Sequence, residues 1–210
     1  LALADTVDAT ARRIGASNTL VFADGKIEAR NTDAYGFWEN LAPSLSGRVP
    51  SRALVLGAGG AARAVLVALQ DAGVTDIVLA NRTVSRARAL ADELADTAQI
   101  EALSWDDAEA LMDRETLPLI VNTSSRGMKG ENPITCAMAA QTAQTVVNDI
   151  VYNPLQTALL TNARARGCQT VDGLGMLLHQ ARPAFQAFFG GRLSVDAGLR
   201  QKVERRMGLV

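Results

Sequence analysis

Continuous apolar runs alternate with amphipathic stretches along most of the chain. Strands that are apolar at every position are buried on both faces, so this alternation is typical of a parallel sheet with helices on both sides. The predicted strands lie at residues 53–56, 77–80, 100–103, 119–122, 146–150 and 170–171. The predicted helices lie at residues 61–72, 84–95, 106–112, 156–166, 175–189 and 194–207. We therefore predict an α/β fold with a doubly wound parallel sheet.

The first part of the chain has a different pattern. Its predicted elements are, in order, an amphipathic helix over residues 1–14, a β-hairpin over 17–31, a helix over 32–41 and a linker over 43–50. The hairpin is predicted because Asp24-Gly25, a favoured turn pair, separates two alternating runs. No N-cap residue precedes Leu1, whereas Thr32 or Asp33 can cap the helix that follows the hairpin.

A glycine-rich segment follows the first strand of the predicted parallel sheet. Glycines let the backbone approach a pyrophosphate, and the amino end of the next helix attracts that anion. The glycine spacing alone is a weak signal, since Ala62 stands in the third glycine position. The strand before it and the helix after it strengthen the prediction of a dinucleotide site in a Rossmann-like fold. Its candidate residues are Gly57, Ala58, Gly59, Gly60 and Ala61.

The end of the second strand carries Asn81, Arg82 and Thr83, followed by Arg86. Proteins of this fold that prefer NAD place an acidic residue there, on the ribose 2′-hydroxyl. A solvated loop charge is the alternative for Arg82, but the neighbouring Thr83 and Arg86 favour a 2′-phosphate site. The sequence therefore predicts NADP as the cofactor.

Composition limits the other function classes. The chain has 210 residues, a net charge of −1 and 48% hydrophobic residues, which is typical of a soluble chain with a full core. The balanced charge argues against nucleic acid as a partner, and no run is long enough for a membrane span. Cys136 and Cys168 are far apart and no metal-ligand cluster is visible, so we expect reduced thiols, no metal and a cytoplasmic location.

Polar residues outside the nucleotide motif include Asn18, Asp33 and Gln180. Taken singly, they can be read as a partner of the hairpin backbone, a helix cap and a solvated helix position. Taken in order with the other motifs, they resemble the signatures of the shikimate dehydrogenase family. The matching segments are residues 15–19, 31–36, 57–62, 81–83, 151–155 and 172–180.

The resemblance implies an NADP-dependent oxidoreductase that interconverts 3-dehydroshikimate and shikimate by hydride transfer. It implies a small-molecule substrate and a monomer or homodimer. Asp33 would be catalytic, paired with a lysine. The substrate ligands it implies are Asn18, Asp33, Tyr152 and Gln180, and the residues lining the nicotinamide are Ile150 and Gly173.

The resemblance also implies a division of the chain. Residues 1–33 would be the C-terminal remnant of a substrate-binding domain, 34–171 an NADP-binding Rossmann domain, and 172–210 helices that return to the substrate domain. The sequence has only Lys26, Lys129 and Lys202, all outside the family's lysine motif. We therefore expect that lysine a few residues before Leu1, and we expect this chain to be a fragment with little activity of its own.

Two residues are hard to assign. The family usually has an apolar residue at the position of Arg126, which could contact a phosphate or carboxylate or point to solvent, and we expect solvent. His179 is next to Gln180, but adjacent helix positions point about 100° apart, so we do not expect it to act as an acid or base.

Three other functions remain open at this point. One is a quinate/shikimate dehydrogenase, and another is an NADP-binding fragment without turnover. The third is a different Rossmann enzyme, such as a relative of methylene-tetrahydrofolate dehydrogenase or glutamyl-tRNA reductase. That third reading does not explain Asn18, Asp33 and Gln180 together.

Overall fold

The computed structural model describes residues 1–95 and 97–209, which form two sheets and their covering helices. The strands are β1 (Thr6–Val7), β2 (Thr19–Ala23), β3 (Lys26–Arg30), β4 (Arg52–Leu56), β5 (Asp76–Ala80), β6 (Gln99–Leu103), β7 (Leu119–Asn122), β8 (Val146–Asp149) and β9 (Gln169–Val171). The helices are α1 (Ala9–Ile14), α2 (Asp33–Leu41), α3 (Gly60–Asp71), α4 (Val84–Glu93), α5 (Trp105–Arg114), α6 (Ala158–Ala165), α7 (Leu174–Phe189) and α8 (Ala197–Arg206).

The larger sheet has six strands in the order β6-β5-β4-β7-β8-β9, and every neighbouring pair is parallel. Strands β7 and β8 are buried at every position, and β4 and β5 at all but the first. Two apolar clusters cover its two faces, as the continuous apolar runs require. The α/β class and the doubly wound Rossmann-like sheet are confirmed. In such sheets ligands bind at the carboxyl ends of the strands, next to the point where strand order reverses.

The prediction of one helix over residues 1–14 is wrong. The helix begins only at Ala9, because the side chain of Asp8 accepts a hydrogen bond from the backbone N–H of Ala11 and caps it. The residues before Asp8 form the short strand β1, which pairs in parallel with β3. Hydrogen bonds from Asp5 N to Ile27 O (2.8 Å) and from Asp8 N to Ala29 O (2.9 Å) hold it there.

The predicted hairpin is confirmed as β2 and β3, which pair in antiparallel and complete a small sheet of order β1-β3-β2. Its turn residues Asp24 and Gly25 have φ values of 50° and 71°, the left-handed geometry that a two-residue hairpin turn needs. Thr32 precedes α2 but makes no side-chain capping bond. The predicted linker begins within a 3₁₀ helix, Ala42–Leu45.

Helices α7 and α8 follow the last strand of the large sheet. Helix α7 packs along α2, and α8 contributes to a small apolar cluster around Leu174 and Leu178 of α7. Within the described residues, no helix combines the length and the apolar character that a membrane span requires. The division of the chain at residues 33 and 171 remains a prediction.

Candidate active site

The register of the large sheet brings the candidate cofactor residues to one edge. Leu56, the last residue of β4, pairs with Ala80 of β5 on one side and with Asn122 of β7 on the other. The glycine loop, the 81–83 segment and the loop after β7 therefore leave the sheet side by side.

Gly57 is the residue at which the glycine loop touches its neighbour most closely. Its φ is +105°, and a Cβ added there would lie 2.9 Å from Thr123 Oγ1 and 3.0 Å from Ser124 N. The Thr123 hydroxyl donates to Leu56 O at 2.9 Å, which fixes that contact. Only glycine fits this backbone without displacing the loop after β7.

Gly59 and Gly60 have the opposite surroundings: apart from their chain neighbours and the backbone of α3, no described atom lies within 4 Å of a Cβ built on either residue. Gly59 is the N-cap of α3 and has no side chain that could cap the helix. Backbone N–H groups at this helix end therefore remain available to an anion. A tight, positive-φ turn followed by an open helix amino terminus is a suitable cradle for a pyrophosphate.

Asn81 joins the glycine loop to the second strand. Its Oδ1 accepts from Ala58 N at 3.3 Å, and its Nδ2 donates to Thr83 O at 3.0 Å. Asn81, Arg82, Thr83 and Arg86 line one cleft of about 470 Å³. Arg82 and Arg86 are exposed, so their charges face an open space large enough for a phosphorylated ribose.

Asn18 and Asp33 are in direct contact. Asn18 Nδ2 donates to Asp33 Oδ1 at 2.8 Å and lies 3.0 Å from Thr32 Oγ1, while Asn18 Oδ1 accepts from Thr32 N at 3.1 Å. Burial raises the pKa of Asp33, and the hydrogen bond from Asn18 partly offsets that rise. The pair is a rigid carboxylate and amide, with the carboxylate at the amino end of α2.

Asn31 holds this arrangement in place from behind. It donates from Nδ2 to Ala16 O at 3.1 Å and accepts from Asp33 N at 2.9 Å. Asn31 is buried, and its side chain satisfies backbone groups of Ala16 and Asp33.

Gln180 lies beside α2 because of a glycine that sequence reasoning missed. A Cβ at Gly36 would lie 2.6 Å from Gln180 Cβ and 2.7 Å from Gln180 N. The helices α2 and α7 therefore approach each other at this point, one turn after Asp33. The signal in the sequence was a glycine inside an otherwise regular helical pattern, which often marks close packing.

Ile150 and Gly173, the two positions expected to line a nicotinamide, are also brought together. A Cβ at Gly173 would lie 2.0 Å from Ile150 O, and Gly173 N donates to Val151 O at 3.2 Å. Tyr152 is half-buried against the apolar cluster of Leu174 and Leu178, on the helix that carries Gln180. No hydrogen bond among the described residues joins Tyr152 to Asn18 or Asp33.

His179 is partly buried, and burial lowers its pKa below the usual value for histidine. Its Nδ1 is buried without a hydrogen-bond partner among the described residues. The nearby charges of Glu39 and Arg182 act on its pKa in opposite directions. These surroundings suit a neutral packing residue.

The carboxyl ends of β7 and β8 carry a polar network that sequence reasoning missed. Asn122 Nδ2 donates to Asp149 Oδ1 at 2.8 Å, and Thr157 Oγ1 donates to Asp149 Oδ2 at 2.7 Å. Burial raises the pKa of Asp149. Asn122 also accepts from Ser124 N at 3.0 Å and donates to Arg126 O at 3.1 Å, so it fixes the loop after β7. The signal was a polar residue closing each of two apolar runs.

The expectation that Arg126 points to solvent is wrong. Its side chain is 33% exposed, and its guanidinium carbon lies 4.5 Å from the ring centroid of Trp105. Both residues line the cleft that holds Arg82 and Arg86.

In the part of the chain that the structure describes, no group of three or more His, Cys, Asp or Glu side chains could hold a metal ion.

Comparison with known proteins agrees with the motifs. Residues 40–156 match the family model described as shikimate / quinate 5-dehydrogenase. The shikimate dehydrogenase (NADP(+)) of Paramagnetospirillum magneticum is 52% identical over 201 residues, which is 94% of this chain and 71% of that relative.

Solved structures of similar proteins have the same fold. The quinate dehydrogenase from Corynebacterium glutamicum in complex with NAD aligns with a TM-score of 0.88 and 32% identity over 98% of this chain and 73% of its own. The shikimate 5-dehydrogenase from Thermus thermophilus in complex with NADP(H) and shikimate aligns with a TM-score of 0.80 and 34% identity, over 98% and 73% of the two chains.

Proposed function

The chain belongs to the shikimate / quinate 5-dehydrogenase family, and from this membership we propose which of its residues carry the family's reaction. Its function is that of an NADP-dependent shikimate dehydrogenase, an oxidoreductase of aromatic amino acid biosynthesis. The reaction is the reversible reduction of 3-dehydroshikimate to shikimate, in which NADPH supplies the hydride.

The proposed cofactor ligands are the glycine loop from Gly57 to Ala61 and the cleft residues Asn81, Arg82, Thr83 and Arg86. Two observations support them. The turn at Gly57 excludes any side chain, whereas Gly59 and Gly60 border open space at a free helix end. The cleft carries two exposed guanidinium groups, the chemistry that a 2′-phosphate requires.

The proposed substrate ligands are Asn18, Asp33, Tyr152 and Gln180, with Ile150 and Gly173 beside the nicotinamide. The observation that carries this proposal is the close approach of α2 and α7 at Gly36, which sets Gln180 next to the helix that Asp33 begins. A polyhydroxylated ring needs several such polar partners, because each buried hydroxyl left unpaired costs about 1–3 kcal/mol.

Asp33 is the proposed catalytic carboxylate. The amide of Asn18 fixes one of its oxygens, and burial raises its pKa, so it can bind a substrate hydroxyl and hold a proton near it. The three lysines of the sequence lie at the hairpin turn, in the loop after β7 and on α8, and all are exposed: Lys26, Lys129 and Lys202. We therefore expect the 210 residues alone to bind NADP and to turn over shikimate very slowly, because loss of a general acid lowers a rate about 10²- to 10⁴-fold.

The experiment is NADP-linked oxidation of shikimate and of quinate, followed by absorbance of the reduced cofactor. We expect shikimate to be the better substrate and NADP the better cofactor. Faster turnover of quinate with NAD would favour the alternative, a quinate/shikimate dehydrogenase. The quinate dehydrogenase in complex with NAD among the structural relatives keeps that alternative open. A normal shikimate rate from the 210 residues alone would contradict the low-activity prediction.

A cytoplasmic location and a monomer or homodimer complete the proposal. The two cysteines are free and buried, as is usual for proteins of a reducing compartment, where thiols stay reduced. Size-exclusion chromatography with light scattering distinguishes the two oligomeric states.

A further inference from the structure

Arg126 is held by three groups that leave its guanidinium little freedom. The group lies over the ring of Trp105, and Nη2 donates to Pro133 O at 2.9 Å. Its Nη1 is 3.9 Å from Glu109 Oε1, which also accepts from Trp105 Nε1 at 2.8 Å. Glu109 therefore fixes the cation and the aromatic ring together.

The charge of Arg126 is partly compensated, unlike that of the exposed Arg82 and Arg86. Glu109 lies at ion-pair distance from it, whereas no ion pair among the described residues involves Arg82 or Arg86. A guanidinium whose charge is already matched and whose donors are partly used gains less from a phosphate than a free one does. The flat guanidinium surface of Arg126 can still stack on an aromatic ring, because stacking does not need a free charge or free donors.

We propose that Arg126 and Trp105 form the wall on which the adenine ring of the cofactor stacks. This inference rests on the proposed NADP function and adds a residue that grips the cofactor through its base and not through its phosphate. Arg126 would then raise the affinity for NADP and for NAD equally, whereas Arg82 would raise that for NADP alone.

The test compares R126L and R126K with the unchanged protein and with R82L, by calorimetric titration with NADP, NAD and 5′-AMP. Loss of one stacking contact to a base weakens binding about 5- to 100-fold. We expect the affinity of R126L to fall by the same factor for all three ligands. R126K keeps the charge without the plane, so we expect it to lose as much as R126L. R82L, the matched control, should lose affinity for NADP alone.

Two outcomes would overturn the inference. One is a loss confined to NADP, or rescue by R126K, either of which would show a charge contact with phosphate. The other is unchanged affinity of R126L for all three ligands. Melting temperatures of the variants check the fold, and R126K decides the matter if R126L is unstable, since its aliphatic stem still covers Trp105. Failure of the unchanged protein to bind NADP would instead count against the proposed function.

Discussion

Substitution of Gly57 by Ala tests the central feature of the cofactor loop. The added Cβ would lie 2.9 Å from Thr123 Oγ1 and 3.0 Å from Ser124 N, well inside the 3.4 Å at which ordinary contact begins. It would also occupy a backbone with φ of +105°, where side chains are strained.

The magnitude follows from these two effects. Backbone strain of this kind costs about 1–3 kcal/mol, and forcing a methyl group into a packed site costs about 1–3 kcal/mol more. The lower entropy of the unfolded chain with Ala offsets about 0.4–1 kcal/mol. The free energy of unfolding of Gly57→Ala should therefore fall by about 1–5 kcal/mol, which moves the urea midpoint down by roughly 0.5–2 M.

Gly60→Ala is the matched control, because it occupies the first turn of α3 and, apart from chain neighbours and the backbone of that helix, no described atom lies within 4 Å of an added Cβ. Its stability should stay the same or rise by up to about 1 kcal/mol. Its affinity for NADP should nevertheless fall by about tenfold or more, since the methyl group faces the space proposed for the pyrophosphate and would displace a charged hydrogen bond.

Urea unfolding followed by circular dichroism measures the stabilities, and calorimetric titration measures NADP binding. Equal urea midpoints for Gly57→Ala and the unchanged protein would refute the close contact with Thr123 and Ser124. Full NADP affinity in Gly60→Ala would refute the position proposed for the pyrophosphate.

Three further predictions use the same methods. Arg82→Leu should weaken NADP about 10- to 100-fold while leaving NAD nearly unchanged, because only NADP has the 2′-phosphate; equal losses would refute this role. Gly36→Ala should lower the melting temperature by roughly 2–10 °C and reduce kcat/KM for shikimate, since its Cβ would push Gln180 away from α2; an unchanged melting curve would contradict the helix contact. Asp33→Asn keeps an acceptor for Asn18 and should remove a pH dependence: the raised pKa of Asp33 makes its contribution to stability complete below pH 3.8, and that contribution is lost as pH rises through the raised pKa. A difference in the free energy of unfolding between the two proteins that stays constant from pH 3 to 7 would exclude this effect.

The large sheet could be predicted well from the sequence because its signal is local. Strands β4, β5 and β7 each contain a continuous apolar run, and the structure moves the predicted bounds of all six strands by one residue at most. The short strand β1 could not be found, since two residues carry no period and its partner β3 lies beyond a helix and another strand. The capping role of Asp8 was the local signal that the helix begins later than predicted.

The site could be predicted as a set of motifs but not as a set of contacts. The hydrogen bond between Asn18 and Asp33 joins positions that the predicted hairpin already brought near each other. The approach of Gln180 to Gly36 depends on how α7 returns to α2, and no local pattern specifies that. The direction of Arg126 depends in the same way on Trp105, which belongs to a different crossover of the sheet.

The buried amide of Asn122 has a consequence for protein engineering. It forms hydrogen bonds with Ser124 N and Arg126 O at once and is itself fixed by Asp149. The hydrogen bonds of a buried side chain therefore determine the backbone conformation of this loop. The side chain at position 126 is therefore free to vary without redirecting the chain. A library of substitutions confined to that position should yield folded proteins that differ in cofactor affinity. Position 126 is therefore suited to redesign of cofactor binding.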